Sequence, residues 1–211
     1  MTDSTTTRRH GAVQPYYAPN AVHLGQQYGS VTFEEVHGGI LDLLPSGTAA
    51  ALDVGAGTGR DAAALARRGY RVVAAEPVRE MRDVAQRLHP GGNIHWVEDS
   101  LPELPRIDGT FDVVLLSAVW MHLPPAARGR AMERLAALLA PAGLLMLSLR
   151  RGTPPPDRVM FDVPAEEVAR DGERAGLRLV RLVEEDADRL GRAEVRWQTV
   201  ALRNPLRKGE E

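Results

Sequence analysis

A chain of 211 residues has room for one domain with a real hydrophobic core and, at roughly 100 to 200 residues per domain, little room for a second. Its 26 Lys and Arg stand interspersed among 28 Asp and Glu, a net charge of −2, which excludes the broad positive footprint that a nucleic acid backbone usually requires and favours a small partner. Without cysteine there are no disulfides, no thiolate catalysis and no Cys-ligated metal, and no apolar run reaches the roughly 18 to 20 residues that span a bilayer.

Residues 1 to about 18 are polar, Thr-rich and broken by Pro15 and Pro19, too poor in apolar surface to offset their ordering entropy. The expectation is a flexible arm and lid over 1–30 and a single domain over 31–211. The two N-terminal arginines have no apolar stretch behind them and do not read as a secretory signal, so a cytoplasmic protein is expected. From Thr32 to Leu44, Phe33, Val36, Ile40, Leu41 and Leu44 recur at helical spacing, with Thr32 and Glu35 as a capping pair and Pro45 and Gly47 as the stop.

Short apolar runs then alternate with amphipathic ones. Strands are predicted at 49–55, 71–76, 94–99, 111–119 and 143–150, and helices at 60–69, 79–88, 125–140 and 164–176. Nearly continuous apolar strands separated by such helices imply a parallel sheet covered on both faces, a doubly wound α/β fold. The last two runs, 177–185 and 194–203, are separated only by the polar "DADRLGRA" and read as an antiparallel hairpin on the sheet edge.

The stretch "ALDVGAGTGRDAAALARRG" sets Gly55, Gly57 and Gly59 at alternate positions in the turn after the first strand. Open α/β sheets bind ligands at the carboxyl ends of their strands, and glycines there allow positive φ and let a ligand lie against bare backbone. The spacing is G-x-G-x-G and not the dinucleotide G-x-G-x-x-G, while Glu76 ends the second strand about 20 residues later, where an acceptor for ribose hydroxyls belongs. A nucleoside is implied, though not obviously a diphosphate.

"LDVGAGTGRDAAALARRGYRVVAAEP" resembles the first two motifs of the class I S-adenosylmethionine-dependent methyltransferases. The resemblance covers roughly residues 30 to 203. It implies a Rossmann-like sheet of order 3-2-1-4-5-7-6 with strand seven antiparallel, and S-adenosylmethionine as cofactor with S-adenosylhomocysteine as product. It also implies that Asp53, Gly55, Gly57 and Gly59 underlie the methionine end of the cofactor, that Glu76 takes the ribose hydroxyls and that Asp99 faces the adenine amine, with Ala56, Arg60, Pro77, Ser100, Leu101, Ser117 and, from the lid, Tyr28 as further cofactor contacts. No Asn-Pro-Pro-Tyr tetrapeptide is present, which disfavours methylation of DNA bases. "FEEVH", "SAVWMHLPP" and "MFDVPAEE" are similar to an uncharacterised bacterial subgroup.

Methyl transfer requires an aligned acceptor and, for an oxygen or protonated nitrogen, removal of a proton. His122, just beyond the fourth strand, is the candidate base, the alternative being that it caps the next helix or packs beneath Trp120. Trp120 offers an aromatic face for the sulfonium or an acceptor ring, and His37 shares a helix face with Glu34 and could look into the same pocket. Tyr17, Arg150 and Arg158 are candidate acceptor contacts; Arg150, Arg151 and Arg158 could fork onto a carboxylate or phosphate, or simply be solvated. None of the six histidines forms a recognisable metal pattern, so no metal is expected.

The predicted function is methyl transfer from S-adenosylmethionine to an oxygen or nitrogen of a small molecule, by a monomer or homodimer with no nucleic acid or membrane partner. Aminocarboxypropyl transfer or cyclisation from the same sulfonium, a nicotinamide-dependent oxidoreductase, and a non-catalytic cofactor-binding subunit are the rivals.

Overall fold

The computed structural model describes residues 14–91, 93–185 and 188–206. Residues 1–13 of the expected arm lie outside the described residues, but the rest of it is a correction: α1 spans Gln14–Gly29 as a 16-residue helix. Composition misleads here because the helix is held by docking and not by its own propensity. Ala21 and Leu24 pack on Val78, Met81 and Val84, and Gly25 approaches so closely that an added Cβ would lie 3.0 Å from the Val84 side chain.

After α1, the Thr32–Glu35 pair forms a full capping box on α2 (Phe33–His37), satisfying two otherwise free N–H groups. Beyond it Gly38 and Gly39 open a 3-10 turn (Gly38–Leu43), so the single helix predicted over 32–44 is two tighter pieces.

The alternation builds β1 (Ala50–Val54), α3 (Arg60–Arg67), β2 (Arg71–Ala75), α4 (Arg79–Leu88), β3 (Ile94–Val97), β4 (Phe111–Ser117), α5 (Pro125–Ala137), β5 (Leu139–Arg151), α6 (Ala165–Arg174), β6 (Arg178–Glu185) and β7 (Arg196–Arg203). The seven strands form one sheet of order β3-β2-β1-β4-β5-β7-β6. Strand pairs are parallel from β3 to β5, and β7 runs antiparallel to both β5 and β6. β5 begins four residues earlier than the sequence suggests, because a register shift opposite Phe111/Val113 absorbs the Pro-containing start and a tight approach at Gly143.

Apolar residues cover both sheet faces, as continuous buried runs such as Val113–Leu116 require. One face packs α5 and α6 around Leu116, Leu135 and Leu147; the other packs α2 and α3 around Phe33, Leu65 and Val113. The carboxyl ends of β1 to β5, the end of β6 and the start of β7 therefore share one edge of the sheet. No helix among the described residues is long and apolar enough to cross a membrane.

Candidate functional site

That shared edge opens into a cavity of about 770 Å³, toward the upper part of the roughly 300–1,000 Å³ range of ligand pockets. At its centre lies the turn from β1 to α3, with Gly55, Gly57 and Gly59 at φ +69°, +56° and +84°. Left-handed backbone costs L-residues with a Cβ, which accounts for the glycines. They are not equivalent. A Cβ on Gly55 would strike Val119 at 2.6 Å and one on Gly59 would strike Trp96 at 2.9 Å, whereas Gly57 faces nothing nearer than Met81 at 3.6 Å and lines the cavity. Gly59 thus packs toward Trp96, His89 and Ala85, and it is not among the residues that line the cavity.

Three carboxylates end the first three strands at this edge. Asp53 is buried, and burial together with the adjacent Asp61 pushes its carboxyl well above the ordinary range. Its Oδ2 has no hydrogen-bond partner. Burial would raise Asp61 as well, but Arg60 and His37 outweigh it and hold that group far below the carboxylate range. Glu76 accepts the N–H of Gly57 at 2.9 Å through one oxygen and that of Val78 at 2.8 Å through the other, and burial raises its pKa against those bonds. Asp99 accepts the N–H groups of Ser100 (2.9 Å) and Arg106 (2.7 Å). Each oxygen of Glu76 and Asp99 keeps acceptor capacity for a ligand.

At the end of β4 the chain passes through Ala118, a non-glycine residue at φ +58°, fixed by hydrogen bonds from its N–H to the hydroxyl and carbonyl of Ser148. Such strain concentrates at functional sites. The 3-10 turn Trp120–His122 follows. His122 Nδ1 lies 2.9 Å from the Val159 carbonyl, which fixes it as the protonated nitrogen, so Nε2 accepts the Tyr17 hydroxyl at 3.1 Å. Burial, reinforced by Arg158, holds the imidazole pKa below its ordinary value, while burial raises the Tyr17 hydroxyl.

Of the predicted site residues, Tyr17, Tyr28, Asp53, Gly55, Ala56, Gly57, Arg60, Glu76, Pro77, Asp99, Ser100, Leu101, Ser117, His122, Arg150 and Arg158 all line this one cavity. Two catalytic candidates do not. Trp120 has no exposed surface and belongs to the core with Leu116 and Leu123, because the turn that aims His122 outward aims Trp120 inward. His37 is buried behind the glycine turn, its Nε2 3.1 Å from Asp61, while Glu34 lies outside paired with Arg68. Arg151 points away from the cavity onto Asp162.

Sequence reasoning missed Asp61, whose position just after the glycines was the available signal. It also missed Asp188, Arg192 and Trp197, which line the cavity from the hairpin. Asp188 accepts bonds from Arg192 (2.6 and 2.8 Å) and from Trp197 Nε1 (2.8 Å), a knot that a polar turn sequence does not announce.

Residues 51–143 match the family described as "Methyltransferase domain". An uncharacterised methyltransferase of Mycobacterium tuberculosis (strain ATCC 25618 / H37Rv) is 37% identical over 105 residues, 50% of this chain and 41% of that protein. The match thus spans about two-fifths of that relative's length. The crystal structure of the 1,6-didemethyltoxoflavin-N1-methyltransferase of Burkholderia thailandensis, with bound 1,6-didemethyltoxoflavin and S-adenosylhomocysteine, is similar with a TM-score of 0.71 at 21% identity over 97% of this chain and 92% of its own. The magnesium protoporphyrin IX methyltransferase of Synechocystis PCC 6803, with bound SAM, has a TM-score of 0.63 at 18% identity, covering 96% of this chain and 92% of that one. At these identities the structural likeness is one of fold.

Proposed function

We propose that the chain is a class I methyltransferase that transfers a methyl group from S-adenosylmethionine to an oxygen or nitrogen of a small molecule, a reading supported by the matched methyltransferase domain and the shared fold. The observation that carries this reading is the single cavity in which a left-handed glycine turn meets Asp53, Glu76 and Asp99 at the ends of adjacent strands. The residues fit the adenosyl sulfonium. The orphaned Oδ2 of buried Asp53 calls for a donor such as an ammonium, the open space over Gly57 admits a ligand against bare backbone, and the free lone pairs of Glu76 and Asp99 suit ribose hydroxyls and an adenine amine.

When bound, the sulfonium supplies an electrophilic methyl carbon. The protein's own task is to orient the acceptor in line and to take its proton. Tyr17 and His122 supply the path. An acceptor oxygen or nitrogen held beside Tyr17 would pass its proton to Tyr17 Oη while the Tyr17 proton moves to His122 Nε2. Val159 meanwhile holds Nδ1–H and so keeps Nε2 the unprotonated, accepting nitrogen. α1 brings Tyr17 and Tyr28 over the cavity, which shields these groups from water.

The test is product analysis. Protein incubated with S-adenosylmethionine and a library of small acceptors is expected to release S-adenosylhomocysteine together with a product heavier by one methyl. Release of methylthioadenosine, or calorimetric binding of NADH with none of S-adenosylhomocysteine, overturns the reading.

A further inference from the structure

The sheet edge divides the cavity by charge. Asp53, Glu76 and Asp99 occupy the β1-β2-β3 half, while Arg150, Arg158 and Arg192 occupy the half over β5, β7 and the loops beside them. Three acids suit an ammonium, a sugar and an amine. They repel an anion, which belongs at the opposite end.

The arginines differ in how far they are already neutralised. Arg192 is spent on Asp188 through two hydrogen bonds, and Arg189 at the rim on Glu185 at 3.1 Å. Arg150 hydrogen-bonds only neutral groups, the carbonyls of Gly152 (3.3 Å) and Thr153 (3.1 Å). Arg158 sits 4.3 Å over the Tyr16 ring with Nη1 3.4 Å from the Tyr17 hydroxyl. Its Nε is buried with no hydrogen bond among the described residues, and a carboxylate oxygen of the half-exposed Asp157 stands 3.6 Å from it. Burial, then Arg192 and Arg158, depress the pKa of Arg150, against the smaller opposing pull of Asp188 and Asp162.

Cross-strand pairing fixes the direction of Arg150. It stands opposite Trp197 in the β5–β7 ladder, so both project to the cavity face, while the next residue, Arg151, projects to the other and meets Asp162. Val159, Met160, Phe161 and Trp197 add apolar lining to the same cavity.

We propose that Arg150 and Arg158 form an anion subsite that grips a carboxylate or phosphate of the acceptor, whose apolar body lies along Phe161 and Trp197 and presents its nucleophilic atom to Tyr17. Two guanidinium forks suit an oxyanion of either kind. The subsite rests on the reading that this half of the cavity takes the acceptor.

The experiment uses the full chain saturated with S-adenosylhomocysteine, with that binding measured first, and titrates benzoate, phenyl phosphate and benzamide calorimetrically. Benzoate or phenyl phosphate is expected to bind while benzamide does not, and the stronger of the two names the head group. Arg150→Gln and Arg158→Gln are each expected to weaken that binding by about tenfold or more, as loss of a charged hydrogen bond requires, with S-adenosylhomocysteine affinity retained. The exposed Arg79→Gln leaves both unchanged. Benzamide binding as tightly as benzoate, no anion binding at all, or anion binding that survives both substitutions overturns the subsite while leaving the donor assignment standing. Failure of S-adenosylhomocysteine to bind overturns the functional reading first and the subsite with it.

Discussion

At the residue scale, adjacent glycines in one turn do different work, and substitution separates them. Gly57→Val places its side chain in open cavity at a left-handed φ, so strain of about 1–3 kcal/mol is its cost to the fold. S-adenosylhomocysteine affinity is expected to fall by at least about tenfold, 1.4 kcal/mol. Gly55→Ala instead drives a Cβ to 2.6 Å from Val119 and lowers the melting temperature more than its small side chain would suggest. Calorimetry and thermal melts on the two variants check this, and equal affinity for wild type and Gly57→Val refutes it. His122 gives a pH prediction. Its folded pKa is depressed by burial, so its unprotonated form stabilises the fold above the unfolded value of about 6.5, and that stability is lost as pH falls from there through the folded pKa. The stability gap between wild type and His122→Gln in urea melts should therefore narrow from pH 7.5 to pH 5.5. A gap that widens on acidification contradicts a buried, neutral imidazole. That Asp53, Gly55, Gly57, Glu76 and Asp99 share one cavity was legible because each lies at or just beyond the end of one of the first three strands. Trp120 and His37 were not, because one residue's rotation in a 3-10 turn, or a partner 24 positions away, decides which way a side chain faces.

At the element scale the informative case is α1, whose sequence reads as polar and proline-broken. Pro19 lies inside it, and the helix persists because Asn20 bonds the Tyr16 carbonyl at 2.7 Å and because one face docks on α4. A helix stabilised by docking opens when its contact is wedged. Gly25 is the wedge point, with Val84 and Leu88 at 3.0 and 3.4 Å from an added Cβ. Gly25→Leu is expected to cost about 1–3 kcal/mol by overpacking. Amide exchange should accelerate across Gln14–Gly29 while the central strands β1 and β4 keep their protection, and S-adenosylhomocysteine should bind more weakly because Tyr17 and Tyr28 leave the cavity. Uniformly faster exchange would instead mean that α1 is an integral part of one cooperative unit. The central strands posed less difficulty: β1 and β4 are short apolar runs that are buried almost throughout.

At the scale of the whole molecule, alternation of strand and helix dictated a parallel sheet, and the short polar gap before the last strand dictated the antiparallel pair that closes it. The paths of the two long loops over the β5–β7 end were not legible, since they are set by contacts remote in sequence. Phe161 N–H bonds the Met121 carbonyl at 2.8 Å, and Asp188 gathers Arg192 and Trp197. Residues of these loops and of α1 line the same cavity, where Arg158 already meets Tyr16 and Tyr17, so a ligand that fills it ties these elements together further. Binding to the folded state alone stabilises it by RT ln(1 + [L]/Kd), about 2.7 kcal/mol at a hundredfold excess over Kd. For a domain of this length each kcal/mol raises the melting temperature by about 2–4 °C, so S-adenosylhomocysteine at that concentration should raise it by about 5–11 °C, in proportion to the logarithm of ligand concentration. Because α1 contributes Tyr17 and Tyr28 to the same cavity, Gly25→Leu should reduce that rise as well as the starting temperature. A variant that melts lower yet shows the full ligand-induced rise would separate the lid from the site and confine binding to the glycine turn and its three carboxylates.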